Sequence, residues 1–401
     1  MSAEPKVANT LFIPSLSPYR TTKPTPRSVL VERMKRQEAA ADRRPVPIET
    51  KNSVRLNAER KLCVHINGEP LALTKGAARD LAGHVNLRSG TLNNLLEFGS
   101  DLLIADAFEE ACRVNNRTVV VNTTNTKRRG RQERIIDSVV TERYHHFPHS
   151  AALEALEGSI QDDAMVVDFS YSERMMVARI STEPFEYGKR MIAVDVRNSH
   201  TRNSSLSFGA SDFNPVCSNG MVIVHENFGW VAYTHTRGMM QHILHGSKSG
   251  KTRPLSAALP EMLEASGMYI TFHEDLKTMP VEWSQAREQP EPIEANTPLE
   301  AFVRSPEGLS TELRMVGAAL PDAETIKPLI VEGLTHETTD AQGTASSIID
   351  AMTWASQRQS IRDRELTEKA AAKLLRSISE WRKGGREKIA VRRDGSLECV
   401  S

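Results

Sequence analysis

Aromatic residues are scarce: Phe, Trp and Tyr make up 5% of the 401 residues. A platform that stacks many bases would therefore be thin, and Tyr144, Phe147, Phe169, Tyr171, Tyr187 and Phe208 suit core packing better. Cysteine is also sparse. Cys63, Cys112, Cys217 and Cys399 lie far apart with no C-x-x-C pair. That spacing argues against a zinc ribbon or a disulfide framework and suits a reducing compartment. No apolar run reaches about 18 residues, so neither a transmembrane helix nor a membrane partner is expected. Met1–Thr50 lacks the apolar stretch of a secretory signal. Phosphate-loop patterns are missing too. Gly246–Thr252 ends in Gly-Lys-Thr, but its first glycine is wrongly spaced and follows a helical pattern instead of a strand.

Charge is balanced overall but unevenly distributed. Residues 1–61 hold 13 Lys/Arg against 6 Asp/Glu, residues 358–393 hold 12 against 5, and residues 62–357 hold 26 against 38. Basic ends on an acidic body can hold nucleic acid through phosphate contacts, or can simply be solvated tails.

Prolines recur through residues 1–58 without apolar periodicity, which reads as a disordered basic arm with one short helix at Ser28–Ala41. A core domain is expected over 59–281. It opens with a strand at Leu62–Ile66, a turn at Asn67-Gly68, and a helix capped by Thr74. Leu92–Leu96 and Leu102–Cys112 continue in helical period. The middle is rich in β-runs, among them Val119–Val121, Ile135–Val140, Met165–Phe169, Met175–Ile180 and Met191–Arg197. Leu206–Phe208, Val222–His225 and Trp230–Thr234 extend the series. Short helices are expected at Ser150–Leu156, Thr236–Leu244 and Leu255–Ala265, and a strand at Met268–Phe272. Residues 282–300 are polar and proline-bearing, a linker. Residues 301–401 are helical, with amphipathic patterns at Thr344–Gln357 and Leu366–Trp381, and are expected to pack on the core and end in a basic tail. Strands massed in the middle with helices at both ends give an α+β fold: a twisted, mainly antiparallel sheet flanked by helices.

The densest chemical signal is Thr123–Arg134. It lies between two strand runs, so it should form a hairpin that projects Lys127, Arg128, Arg129, Arg131 and Arg134. Guanidinium groups grip phosphate bidentately, and cationic β-hairpins contact nucleic-acid backbones. Lys248 and Lys251 offer a second basic turn. Histidines gather at His145, His146 and His149, bracket a helix as His235, His242 and His245, and end strands as His200 and His225. No H-e-x-x-H-type spacing accompanies them, so metal ligation is not expected. Cys217 with His200 or His225 as base is the residue set for a metal- or Cys-dependent hydrolase, although a strand Cys is usually a small buried hydrophobe. Asp162, Asp163, Asp168 and Asp195 could gather carboxylates around Mg²⁺, but a buried strand Asp is usually paired within the structure.

The run Val194-Asp195-Val196-Arg197-Asn198-Ser199-His200, with Ser204-Ser205 and Val216-Cys217-Ser218-Asn219, resembles the phage/plasmid-like protein family (domain of unknown function 932) of bacteriophages, plasmids and prophages. The likeness extends over about Leu71 to Lys373. It takes in Leu73-Thr74-x-x-Ala77 and returns at Ile349-Asp350-Ala351-Met352-Thr353. It departs after His200, where Thr201-Arg202-Asn203 replaces the family's Asp-Gly. The resemblance implies an accessory protein of a mobile element in the bacterial host cytoplasm. It highlights Asn198, His200, Ser204, Ser205, Cys217 and Asn219 without supplying a reaction.

The expectation is thus a non-catalytic nucleic-acid-binding protein, with DNA favoured over RNA and single-strand binding or annealing as one concrete form. It has no catalytic residue, metal or cofactor, and a homo-oligomer is left open. The alternatives are the hydrolase above and a structural or host-interaction phage protein.

Overall fold

The computed structural model describes residues 19–21, 23–57, 62–88, 91, 101–128, 131–161, 163–171, 175–183, 191–200, 205–214, 221–224, 230–247, 249–250, 252–285, 294–335, 343–359 and 361–397. The fold is α+β.

Strands β1 (Tyr19–Thr21) and β2 (Thr25–Pro26) lead into helix α1 (Arg27–Ala41). Then come β3 (Arg44–Glu49), α2 (Thr50–Ser53), β4 (Val54–Leu56), β5 (Leu62–Ile66), β6 (Glu69–Ala72), α3 (Lys75–His84), α4 (Asp101–Val114), β7 (Thr118–Arg128) and β8 (Arg131–Val140). Over its described residues the expected disordered arm is therefore folded. Arg27, Leu30, Val31 and Met34 of α1 are buried, which recovers enough apolar area to order the segment. Its prolines sit where they do no harm. Pro45 and Pro47 lie on β3, the edge of the sheet β3-β7-β8, where a missing amide donor need not break a ladder.

A second three-stranded sheet, β4-β5-β6, turns at Asn67-Gly68. Both residues have positive φ, 51° and 85°, as a two-residue hairpin turn demands. The Thr74 hydroxyl caps α3 by accepting from the Ala77 amide at 3.1 Å, as its sequence position predicts. Leu62, Val64, Leu73, Leu81, Ile104, Phe108, Val121 and Ile136 form the core beneath these two small sheets.

The large sheet follows: α5 (His149–Glu154), β9 (Met165–Tyr171), β10 (Met175–Ser181), β11 (Met191–Ser199), β12 (Leu206–Asn214), β13 (Met221–Val224) and β14 (Val231–Tyr233), then α6 (Met239–His245) and α7 (Leu255–Leu276). The path β1-β9-β10-β11-β12-β13 is antiparallel throughout, with β2 on β9 and β14 on β12. Strand alternation divides its side chains. Met176, Ala178, Ile180, Val194, Val196, Leu206, Phe208 and Ala210 face a core shared with α1, α5, α6 and the start of α7. The opposite face carries Arg179, Asp195, Arg197 and Ser211.

Helix α7 corrects an expectation. Met268–Phe272, read as a strand from its Tyr-Ile-Thr-Phe run, is the second half of one 22-residue helix. The two ends of that helix serve different cores. Leu255, Leu259 and Met262 pack under the large sheet, while Phe272 and Leu276 join the C-terminal core.

That core is built by β15 (Val281–Trp283), α8 (Pro298–Arg304), α9 (Leu309–Met315), α10 (Ala323–Thr335), α11 (Ala345–Ser356), α12 (Ile361–Lys383) and β16 (Ile389–Val391). The expected linker begins as a strand, because β15 pairs in parallel with β16 and so ties the region's start to its end. All of α11 is buried.

Candidate functional site

The hairpin read from the sequence is present and longer than expected. β7 and β8 stay paired out to Arg128 opposite Arg131. The third strand, β3, accompanies β7 only from Thr118 to Thr123. Thr124–Arg128 and its partner strand therefore run on as a two-stranded ribbon, roughly 17 Å at 3.4 Å per residue. Lys127, Arg128 and Arg131 occupy the end of that ribbon. Arg129 lies outside the described residues.

Arg134 is a correction. It does not project from the hairpin. Its Nε donates to the Thr123 hydroxyl at 2.9 Å, and its Nη1 and Nη2 reach the Asp42 carboxylate and carbonyl, each at 3.3 Å. Asp42 is the left-handed residue that ends α1. Hydrogen bonding from Arg44 first, and then from Arg134, holds its carboxyl below the usual carboxylate range. Arg134 thus fastens the root of the ribbon.

A bulge sharpens that root. Between Asn122 and Thr123 the register skips Asp137, which is left over on β8. Bulges re-aim side chains, and this one turns Asp137 into the interior, where Arg43 pairs with it.

The terminal basic segments differ from expectation in the same way. Lys35 pairs with Glu154 and Arg27 donates to the Leu153 carbonyl. Arg376 pairs with Glu380, Lys388 with Glu282, and the Lys373 ammonium donates to the Gly317 carbonyl. Among the described residues these cations are paired on the folded surface and are not free arms. Lys248 and Lys251 lie outside the described residues.

The polar face of the large sheet carries a buried ionic row. Register places Arg179 between Asp168 on β9 and Asp195 on β11. Arg179 donates bidentately to Asp195 at 2.6 and 3.1 Å, and lies 3.6 Å from Asp168. Helix α12 closes the row: Glu368 approaches Arg179 at 3.3 Å, and Arg364 binds Asp168 at 2.6 Å and Glu368 at 2.8 Å. A cavity of about 30 Å³ remains among them. Burial raises the Asp195 carboxyl's pKa, opposed by Arg179. Burial alone would lower the Arg364 guanidinium's pKa, but Glu368 and Asp168 together hold it above its ordinary value. The expected gathering of strand aspartates is therefore organised by arginines.

Gly209 continues this row. A Cβ there would meet the Trp230 ring at 2.7 Å, and Arg197 stacks over the same ring at 4.0 Å. Gly209→Ala should displace the indole and destabilise the chain by about 1–3 kcal/mol, the usual range for overpacking. Urea unfolding checks this; an unchanged midpoint contradicts it.

The histidines converge from three separate segments. His149 and His200 stack with centroids 3.6 Å apart, His146 leans on His200 at 4.4 Å, and Tyr144 stacks on His235 at 4.9 Å. The Asn198 amide nitrogen donates to the Phe147 carbonyl at 2.9 Å and to His149 Nδ1 at 3.0 Å. His149 therefore carries its proton on Nε2. That nitrogen, His146 Nε2 and both ring nitrogens of His200 are buried without a protein partner. Burial lowers all four pKa values, to about 3 for His146 and about 4 for His235, and well below the ordinary value for His149 and His200. Among the described residues, no group of three His, Cys, Asp or Glu side chains is arranged to hold a metal ion.

No family model, curated protein or solved structure matches this chain. Function must therefore be argued from the geometry. Of the positions the family resemblance highlights, Asn198 and His200 belong to the histidine cluster and Ser205 precedes β12. Ser204, Cys217 and Asn219 lie outside the described residues, as does His225. The residues that bracket Cys217, Asn214 and Met221, pair at the far end of β12. Eight residues of strand, roughly 27 Å, separate that end from Leu206, the end at which β11 delivers His200. Sequence reasoning missed Arg179, Arg364 and Glu368 entirely. The signal for Arg179 was there: an arginine at an inward-alternating position of an apolar strand needs a buried acid.

Proposed function

We propose that the chain is a non-catalytic nucleic-acid-binding accessory protein of a phage or mobile element, acting in the host cytoplasm on DNA in preference to RNA. The observation that carries this reading is the overhanging ribbon. A two-stranded antiparallel ribbon fits the major groove or lies along a backbone. Arg128 stands directly opposite Arg131, and opposed like charges destabilise a ribbon unless an anion neutralises them. Lys127 adds to the same end, and Arg129 follows Arg128 in sequence. Closely spaced cations match a chain of phosphates better than a single small anion. The family resemblance supports the genetic setting. A homo-oligomer would present several ribbons to one strand and raise avidity.

Fluorescence anisotropy with labelled random-sequence oligonucleotides of about 30 nucleotides, single-stranded and duplex, tests the reading at about 50 mM salt. Binding with little sequence preference is expected, weakening steeply as salt rises. No binding at micromolar protein overturns it.

A further inference from the structure

The connector at 141–149 joins the ribbon-bearing sheet to the large sheet, and the histidine cluster is its fastening. Tyr144 donates to the Ser199 carbonyl at 2.8 Å. The His145 amide donates to the His235 carbonyl at 3.0 Å. His146 and His149 pack on His200. The Glu38 carboxylate, on α1, takes the His149 and Ser150 amides at 2.5 and 3.2 Å.

We propose that these four histidines form an acid-sensitive latch: proton uptake opens the seam along the connector and frees the ribbon-bearing sheet from the large sheet, while the C-terminal helical core stays folded. The inference is independent of the nucleic-acid reading.

The geometry gives the mechanism. Four imidazoles share a buried space, and two of them are stacked face to face. A first added proton is solvated by no carboxylate of the cluster itself, and a second meets a like charge at ring-stacking distance. The charged groups around the cluster reinforce this. Arg43 faces it from the segment after α1 and repels protons on His146, His149 and His200. Asp137 on β8 is committed to Arg43. Asp80 on α3 lies near the Tyr144 hydroxyl. From β9, Tyr171 presents an uncharged ring edge to His149 at 5.4 Å. His145 adds a repulsive imidazole beside His146 and His235, while its backbone hydrogen-bonds the His235 ring and partly offsets that repulsion.

The sign follows. A released histidine takes a proton near pH 6.5, whereas the held ones resist it to about pH 3 at His146 and about pH 4 at His235. The neutral, fastened seam is thus fully stable above pH 6.5 and weakens progressively as pH falls below it.

Among its described residues the C-terminal core lacks this arrangement. Its buried His273 stands 3.1 Å from the Asp350 carboxylate and is not stacked on another imidazole among the described residues.

Hydrogen exchange by mass spectrometry, corrected for intrinsic rates, compares the full chain at about pH 7.5 and pH 5.5. Amides of 144–155, 196–200 and 233–236 should exchange at least about tenfold faster at the lower pH, with 345–356 and 366–378 unchanged. In a double variant, H146F/H200F, which keeps rings but removes two titrating groups, the acid response should fall several-fold. Acid loosening that spreads equally through the C-terminal core overturns the latch. So does an unchanged seam in wild type, or a response undiminished in a folded double variant. If the double variant does not fold, the regional pattern in wild type decides alone.

Discussion

Arg179→Met should destabilise the chain by about 3–5 kcal/mol, the usual penalty for removing one partner from a buried ionic group. The reason is local. Without the guanidinium, Asp195, Asp168 and Glu368 share the polar face of the sheet with Arg364, which pairs with Asp168 and Glu368, and with Arg197 nearby. Methionine fills the volume and removes the charge, so the loss reports electrostatics and not a cavity. Equilibrium urea unfolding measures it. Lysine at the same position should recover only part of the stability, because one ammonium cannot reproduce the bidentate grip on Asp195. A second comparison separates the row from ordinary surface pairs. Arg376→Met removes an exposed pair with Glu380, and exposed pairs are worth no more than about 1 kcal/mol. If both substitutions shift the midpoint equally, the row does not hold α12 to the sheet.

The second large effect concerns the ribbon. Changing Lys127, Arg128, Arg129 and Arg131 together to alanine should weaken binding to any nucleic acid by about 10²-fold or more at low salt. It should leave urea stability within about 0.5 kcal/mol of wild type, the usual range for substitutions that remove no core packing, cap or buried pair. Arg134→Ala should behave oppositely. It releases Thr123 and Asp42 at the ribbon root, so its effect falls on the stability and orientation of the ribbon. Loss of affinity from Arg134→Ala equal to the fourfold tip variant would place Arg134 at the interface and undo the distinction.

Local chemistry carried much of this fold into the sequence. Asn67-Gly68 announced a two-residue turn, Thr74 a helix cap, and the apolar runs on either side of 123–134 a hairpin. Each depends on residues within a few positions of one another. What escaped depends on distance. Met268–Phe272 has the composition of a strand, yet it lies on a helix long enough to serve two cores. Pro45 and Pro47 look like disorder until the edge position of β3 makes them harmless. The strand aspartates Asp168 and Asp195 could be read as needing partners. Arg179, the partner they share, is identified only by register, and Arg364 and Glu368 come from a helix nearly two hundred residues later. The histidine cluster draws on residues 146, 149, 200 and 235, whose shared burial no local pattern announces. The ribbon tip was legible as a basic run. That Arg134 faces inward was not, because its partner Asp42 belongs to a segment that itself looked unstructured.

The most direct test of the central claim is the salt dependence of binding, measured for wild type and for the fourfold tip variant on the same oligonucleotide. Each phosphate contact contributes about 0.7–0.9 to the slope of log K against log salt. The ribbon account predicts that the variant's slope is shallower by roughly two to four contacts' worth. Identical slopes, whatever the absolute affinities, would show that the polyanion is held elsewhere on the molecule.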